Sequence, residues 1–341
     1  MKALSIPEPG KSILVDLPQP ECGASEVVIK LAYVGFCGSD LSTYQGRNPM
    51  VAYPRIPGHE ISGTIVKIGS EVKRSLSLGQ FATVVPYTNC GKCSSCRRGR
   101  QHACRYNQTL GVQREGAMTQ YLAVPSEKLV LSSHLSLEHL VIVEPLTVGF
   151  HAVARARTES IDTVLVFGCG MIGLGAICGA KSRGATVIAV DVADEKLEVA
   201  KQLGADHVIN SVRQTLVQEV DRITQGHGAD VVIEAVGHPL TYRAAIDVVG
   251  FTGRVACIGY AKDDVAFTTK YFVQKELDIL GSRNATPEDF NAVIKYLESN
   301  PEFPLRLVLS KTVELSQAPS ALEAWSQDPS KVTKILVAMD R

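Results

Sequence analysis

Four cysteines crowd the stretch YTNCGKCSSCRRGRQHAC, residues 87 to 104, with the spacing C-x2-C-x2-C-x7-C: Cys90, Cys93, Cys96 and Cys104. Thiols grouped in this way serve a disulfide knot, a redox centre or a metal ion. The N-terminal stretch MKALSIPEPGKSILVD is broken by prolines and charges. No export signal is read there, and a reducing cytoplasm is the expected compartment. Disulfides are disfavoured in such a compartment, and closely spaced cysteines read as metal ligands. Zinc takes tetrahedral thiolate coordination; two-residue gaps aim the sulfurs of a turn at one ion, and a longer loop returns the fourth. Gly91 and Gly99 permit the tight turns. Four thiolates leave no open position, so this zinc is expected to be structural. An iron–sulfur cluster is the alternative, but the run lacks the Cys-Pro ending of bacterial ferredoxins.

Upstream, VGFCGSD and YPRIPGHEISG set a lone cysteine, Cys37, ahead of a His59-Glu60 pair. Mixed sulfur, nitrogen and oxygen donors are what a catalytic zinc uses when one position stays open for water or substrate. Spacing alone fits equally well a small buried Cys37, a satisfied turn His59 and a strand-edge Glu60. Farther on, VIVEPLTVGFHA embeds Glu144 in an apolar run. A carboxylate there is costly unless paired or metal-bound, which adds Glu144 to the candidate set.

The elements that must position these groups change character at Thr163. TVLVFG, TVIAVD, HVIN, DVVIEAV and RVACIG read as strands, and LGAICGAKSRG, ending at Gly184, and ADEKLEVAKQLG read as helices. A βαβ series of this kind predicts an α/β doubly wound parallel sheet. Gly168, Gly170 and Gly173 form G-x-G-x-x-G between a strand and a helix, and Asp191 ends the next strand. The glycines let the backbone approach a pyrophosphate at a helix N-terminus, and the carboxylate accepts ribose hydroxyls. Asp191 would repel a 2′-phosphate and no arginine follows it closely, so NAD is expected rather than NADP. Lys196, one turn later, either touches the ribose or is a surface lysine.

Composition narrows the function classes. The 341 residues suffice for two domains, and 35 basic residues against 35 acidic ones leave the chain neutral, a poor basis for binding nucleic acid or anionic membrane. The RRGR beside the cysteines reads as a solvated face, with nucleic-acid binding the weaker alternative. The uncharged run Thr163–Ala180 is glycine-rich and splits into strand, turn and helix, so no membrane span is expected.

In order, and over essentially the whole chain, C-G-S-D, G-H-E, the four cysteines and G-x-G-x-x-G resemble the zinc-dependent medium-chain dehydrogenase/reductase family. The resemblance implies a GroES-like β-rich catalytic domain from residues 1–152 and 285–341, with a Rossmann NAD-binding domain, residues 153–284, inserted. It implies that Cys37 and His59 hold a catalytic zinc, that Glu60 and Glu144 bind it directly or through water, and that Ser39 bonds the substrate hydroxyl. Zinc would act as a Lewis acid while a secondary alcohol passes its hydride to NAD. Ile172, Ile258, Gly259 and the segment Ser282, Arg283, Asn284 are the further cofactor contacts expected. Ser42 stands where many relatives carry the histidine of a proton relay, so proton exit by that route lacks its usual group.

VEPLTVGFHA resembles the polyol dehydrogenase branch, and NPMVAYPRIPGHE with GSRNATPEDF resembles bacterial dehydrogenases of galactonate- or gulonate-type sugar acids. The substrate implied is a small molecule, a sugar acid or polyol. A substrate carboxylate would call for an arginine fork, for which Arg47, Arg55 and Arg283 are the candidates. Threonine dehydrogenase shares the Cys, His-Glu and Glu pattern and is the competing reading. A zinc-stabilised binding module without catalysis is the reading from another class. A homo-oligomer, dimer or tetramer, is expected.

Overall fold

A computed structural model describes residues 1–329 and 332–339; residues 330, 331, 340 and 341 of the expected C-terminal span lie outside it. The chain forms two compact units, Met1–Glu144 with Leu297–Arg341, and Pro145–Tyr296. The breaks between these compact units fall inside the helices Val143–Arg155 and Pro287–Ser299, whereas the family resemblance implies domain bounds at 152/153 and 284/285.

The first unit is built on the strand Glu26–Phe36, EVVIKLAYVGF, whose β-branched residues favour a pleated backbone. It pairs antiparallel with Glu60–Ile68, Tyr121–Pro125 and Ile335–Ala338. Lys311–Glu314, Phe81–Val84 and Leu129–Leu131 complete a seven-stranded sheet. Val27, Ile29, Val34, Ile61, Ile65 and Met118 fill its core, and burying each such side chain contributes about 1.5–3 kcal/mol. Two register pairs matter for function: Gly35 lies opposite Glu60, and Phe36 lies opposite Ile335. They bring Cys37, Glu60 and Lys334 to one end of three neighbouring strands, although Lys334 is 274 positions from Glu60.

The second unit is a sheet of six parallel strands. Across the sheet they run His207–Asn210, Thr186–Asp191, Thr163–Phe167, Ala229–Glu234, Val249–Cys257 and Asp278–Gly281. In chain order this is 3-2-1-4-5-6, the doubly wound arrangement that binds dinucleotides beyond the carboxyl ends of its strands. The first helix, Met171–Lys181, begins directly after Gly170. Gly173 has no substitute there, because a Cβ would lie 1.7 Å from the Gly168 carbonyl oxygen. The edge strand Asp278–Gly281 was not among the strands expected from sequence; it is short and largely exposed, so it carries no hydrophobic period. Among the described residues no helix is long and apolar enough to cross a membrane; the run 163–180 is strand, turn and helix.

Candidate metal and cofactor sites

The four-cysteine lobe folds as its spacing requires. The sulfurs of Cys90, Cys93, Cys96 and Cys104 all lie within 4.8 Å of one another. Cys93 Sγ is 3.5 Å from Cys96 Sγ and 3.8 Å from Cys104 Sγ. That matches the edge of about 3.8 Å that zinc–sulfur bonds of about 2.3 Å impose on a tetrahedron, and it is far outside the disulfide bond length of about 2.05 Å. Such a span suits one ion better than a cluster of several irons. Backbone N–H groups of Cys93, Cys90 and Tyr106 donate to these sulfurs at 3.3–3.4 Å. The Ser95 hydroxyl and backbone donors bring the Cys93 thiol down to about 5, while burial pushes Cys96 up to about 11. The donor set fits a closed tetrathiolate zinc.

The second set is assembled from three places in the chain. Cys37 precedes the helix Gly38–Tyr44, and Glu60 opens the strand Glu60–Ile68. Asp40 locks the two segments together: it is fully buried, and its carboxylate accepts from Cys37 N at 2.9 Å and Gly58 N at 3.0 Å. Donor atoms of Cys37, His59 and Glu60 converge to within 4.8 Å of one another. Burial opposes a positive charge on His59, but Cys37, Asp40 and Glu144 outweigh it and hold the imidazole pKa well above its usual value. His59 Nδ1 is buried without a hydrogen-bond partner. Sulfur, nitrogen and oxygen donors converging in this way fit a divalent metal ion.

Glu144 is only 3% exposed and acts electrostatically on His59 and Glu60. It is not among the three converging donors, and its carboxylate accepts a hydrogen bond from the Tyr87 hydroxyl. Ser39 Oγ is buried with no partner. Sequence reasoning missed Asp40, Tyr87 and Lys334. Lys334 Nζ donates to both Glu60 oxygens, at 2.5 and 2.7 Å, and to the Phe36 carbonyl at 3.0 Å. Burial opposes the Lys334 charge, but Glu60, Cys37 and Glu144 outweigh it and raise its pKa. A lysine beside the apolar run ILVAM was the one local signal for it, since a buried ammonium demands a partner.

In the second unit, Gly168 and Gly170 flank the turn into Met171–Lys181, and Asp191 ends the neighbouring strand. Asp191 Oδ2 accepts from Cys169 N at 2.7 Å, and Oδ1 accepts from Val192 N and Ala193 N. A carboxylate has about four lone-pair sites, so capacity remains for a ligand. Lys196 is half-buried and acts on Cys169 together with Asp191. Ile172 is half-buried on the first helix. Ile258 N and Gly259 N bond the Glu234 carbonyl, which places both at the strand ends. Ser282 follows the last strand with its Oγ buried and unpartnered. Arg283 is exposed, and Asn284 has φ 55°.

Two of the expected substrate residues lie in the first unit. Arg55 is buried, and its guanidinium bonds the Glu115 carboxylate at 2.8 Å, which in turn accepts from Ile56 N. Its Nε is buried without a partner. Arg47 is exposed.

Residues 23–134 match the alcohol dehydrogenase GroES-like domain, and residues 172–299 match the zinc-binding dehydrogenase domain. The chain belongs to the zinc-binding alcohol dehydrogenase family. As such it is an oxidoreductase of CH–OH donors. The dehydrogenase is 34% identical to a sorbitol dehydrogenase of Bacillus subtilis, over 95% of this chain and 93% of that one. It is 33% identical to an L-galactonate-5-dehydrogenase of Escherichia coli, over 86% of each. A crystal structure of an alcohol dehydrogenase from E. coli CFT073 complexed with NADH superposes with TM-score 0.90 at 28% identity, covering 99% of both chains.

Proposed function

We propose that the dehydrogenase oxidises a secondary hydroxyl of a sugar acid or polyol to the ketone, with NAD as hydride acceptor. The observation that carries this reading is the convergence of Cys37, His59 and Glu60 within 4.8 Å beside the unpartnered Ser39 hydroxyl. Zinc held by those three residues, with Glu144 at its margin, would supply Lewis acidity to the alcohol. Ser39 would accept the substrate hydroxyl's proton and pass it outward, while Asp40 keeps Cys37 and the His59 loop in register. NAD would bring the hydride acceptor, its pyrophosphate over Gly168, Gly170 and Gly173 and its ribose on Asp191. Metal analysis and an NAD-reduction screen over polyols, sugar acids and threonine test the reading. Silence with all of them sinks it, and NADH formed from threonine alone moves the chain to amino-acid oxidation.

The cofactor assignment makes a separate prediction. Asp191→Ala is expected to lower the ratio of kcat/KM for NAD to that for NADP by about 10- to 100-fold, the equivalent of about 1.5–3 kcal/mol for hydrogen bonds to a charged group. An unchanged ratio counts against Asp191 as the ribose ligand.

The sugar-acid branch makes another. Arg55 is tied to Glu115, and the exposed Arg47 is the candidate of the same unit to hold a substrate carboxylate. L-gulonate or L-galactonate is expected to exceed sorbitol or galactitol by about 10- to 100-fold in kcat/KM. Equal rates, or preference for the neutral polyol, would assign the chain to the sorbitol-type branch. A cytoplasmic homo-oligomer, dimer or tetramer, accompanies this reading; light scattering of the purified chain reads the assembly directly.

A further inference from the structure

Lys334 occupies a position that a merely structural lysine would not need. Its three N–H donors are all used, two on the Glu60 carboxylate and one on the Phe36 carbonyl next to Cys37, and the side chains of Lys334 and Glu60 are 4% and 1% exposed. To reach it, Glu60 must lie across the intervening strand, and the chain makes room with Gly35. A Cβ on residue 35 would lie 2.1 Å from Glu60 Oε2 and 3.1 Å from Glu60 Cβ. Gly35 is also the register partner of Glu60. Thus a gap on one strand and a cation on the next hold the carboxylate in one place.

Charge explains why such a device is useful. The half-buried Cys37 thiol and the buried carboxyl groups of Asp40, Glu60 and Glu144 gather acidic groups at one place, and a metal ligand must shed its proton. The Lys334 ammonium meets the Glu60 share of that charge. Without the ammonium, one buried negative charge would be left for the metal to attract. Both Glu60 oxygens would then be free to complete its coordination.

We propose that Lys334, seated over Gly35, is a positioning residue that restrains Glu60 to at most one oxygen on the metal and so keeps one coordination position open for substrate. The inference rests on the assignment of a metal to Cys37, His59 and Glu60. Lys334→Met releases the carboxylate as a strong ligand, whereas Lys334→Arg keeps the charge and the restraint. Gly35→Ala displaces the carboxylate from its seat without changing any charge.

The test uses cobalt(II)-substituted full-length protein, with each absorption spectrum taken as the difference from Cys37→Ala, which retains the four-cysteine site. A thiolate-to-cobalt band in the unaltered chain is expected; its absence overturns the metal assignment itself. Given that band, Lys334→Met should weaken the visible ligand-field bands, as higher coordination does. It should also tighten zinc against a competing chelator by about 10- to 100-fold, the scale of one charge-assisted contact. Lys334→Arg should match the unaltered chain in both readouts. Gly35→Ala should change the ligand-field bands in the same sense as Lys334→Met. If Lys334→Met lowers only the melting temperature, with spectrum and zinc affinity unchanged, Lys334 is a structural tie and the proposal fails.

Discussion

Replacing Cys37 by alanine is expected to reduce kcat by about four powers of ten, or about 5.5 kcal/mol of transition-state stabilisation, while NAD affinity changes by no more than about twofold. The separation follows from where the groups sit. Cys37 lies in the unit Met1–Glu144 with Leu297–Arg341, whereas Gly168, Gly170, Gly173 and Asp191 belong to the unit Pro145–Tyr296. Removing the thiolate takes away the one sulfur donor and leaves His59 and Glu60 as an incomplete set. Steady-state turnover and cofactor fluorescence titration on the same preparation read both quantities. Retained turnover would end the claim that this cluster holds the catalytic metal.

Cys93→Ser should do the reverse. Zinc content is expected to fall from about two ions per chain to about one, because a structural zinc site draws its affinity from the full ligand set. Structural zinc is bound with about 10–16 kcal/mol. Even a loss of about 3–5 kcal/mol from folding corresponds to about 6–20 °C in melting temperature for units of this size. Turnover of the protein still folded should stay within about threefold of the parent, since the closed tetrathiolate offers substrate no position. Calorimetry, metal analysis and turnover together decide it. A fully stable variant with lost turnover would exchange the roles assigned to the two sites.

The two sites differ in how much of their geometry is local. Cys90, Cys93, Cys96 and Cys104 span one turn-rich loop, so their spacing alone constrains where the sulfurs can point, and the folded loop has all of them within 4.8 Å of one another. The glycine motif is similar: it needs one strand, one turn and one helix, and periodicity identifies all three. Five of the six parallel strands were legible for the same reason, their apolar runs being unbroken. The sixth, Asp278–Gly281, is exposed and carries no such run.

The cluster of Cys37, His59 and Glu60 was legible only in its donors. Mixed donor chemistry and the family resemblance pointed to Cys37, His59 and Glu60, and the cost of a carboxylate in an apolar run added Glu144. What holds them was not legible. Lys334 meets Glu60 only because the strand Ile335–Ala338 pairs with Glu26–Phe36, which pairs in turn with Glu60–Ile68. Tyr87 meets Glu144 across 57 positions, and Glu115 pairs with Arg55 across 60. Ligand chemistry and local backbone form are properties of short segments, so the sequence by itself determined the metal-binding residue types, the glycine turn and the alternation of strands and helices. Strand register and long-range charge pairing depend on which distant segments share a sheet or a core. Tertiary structure alone therefore decided that Glu60 bonds Lys334, that Arg55 pairs with Glu115, and that the breaks between the compact units fall within helices.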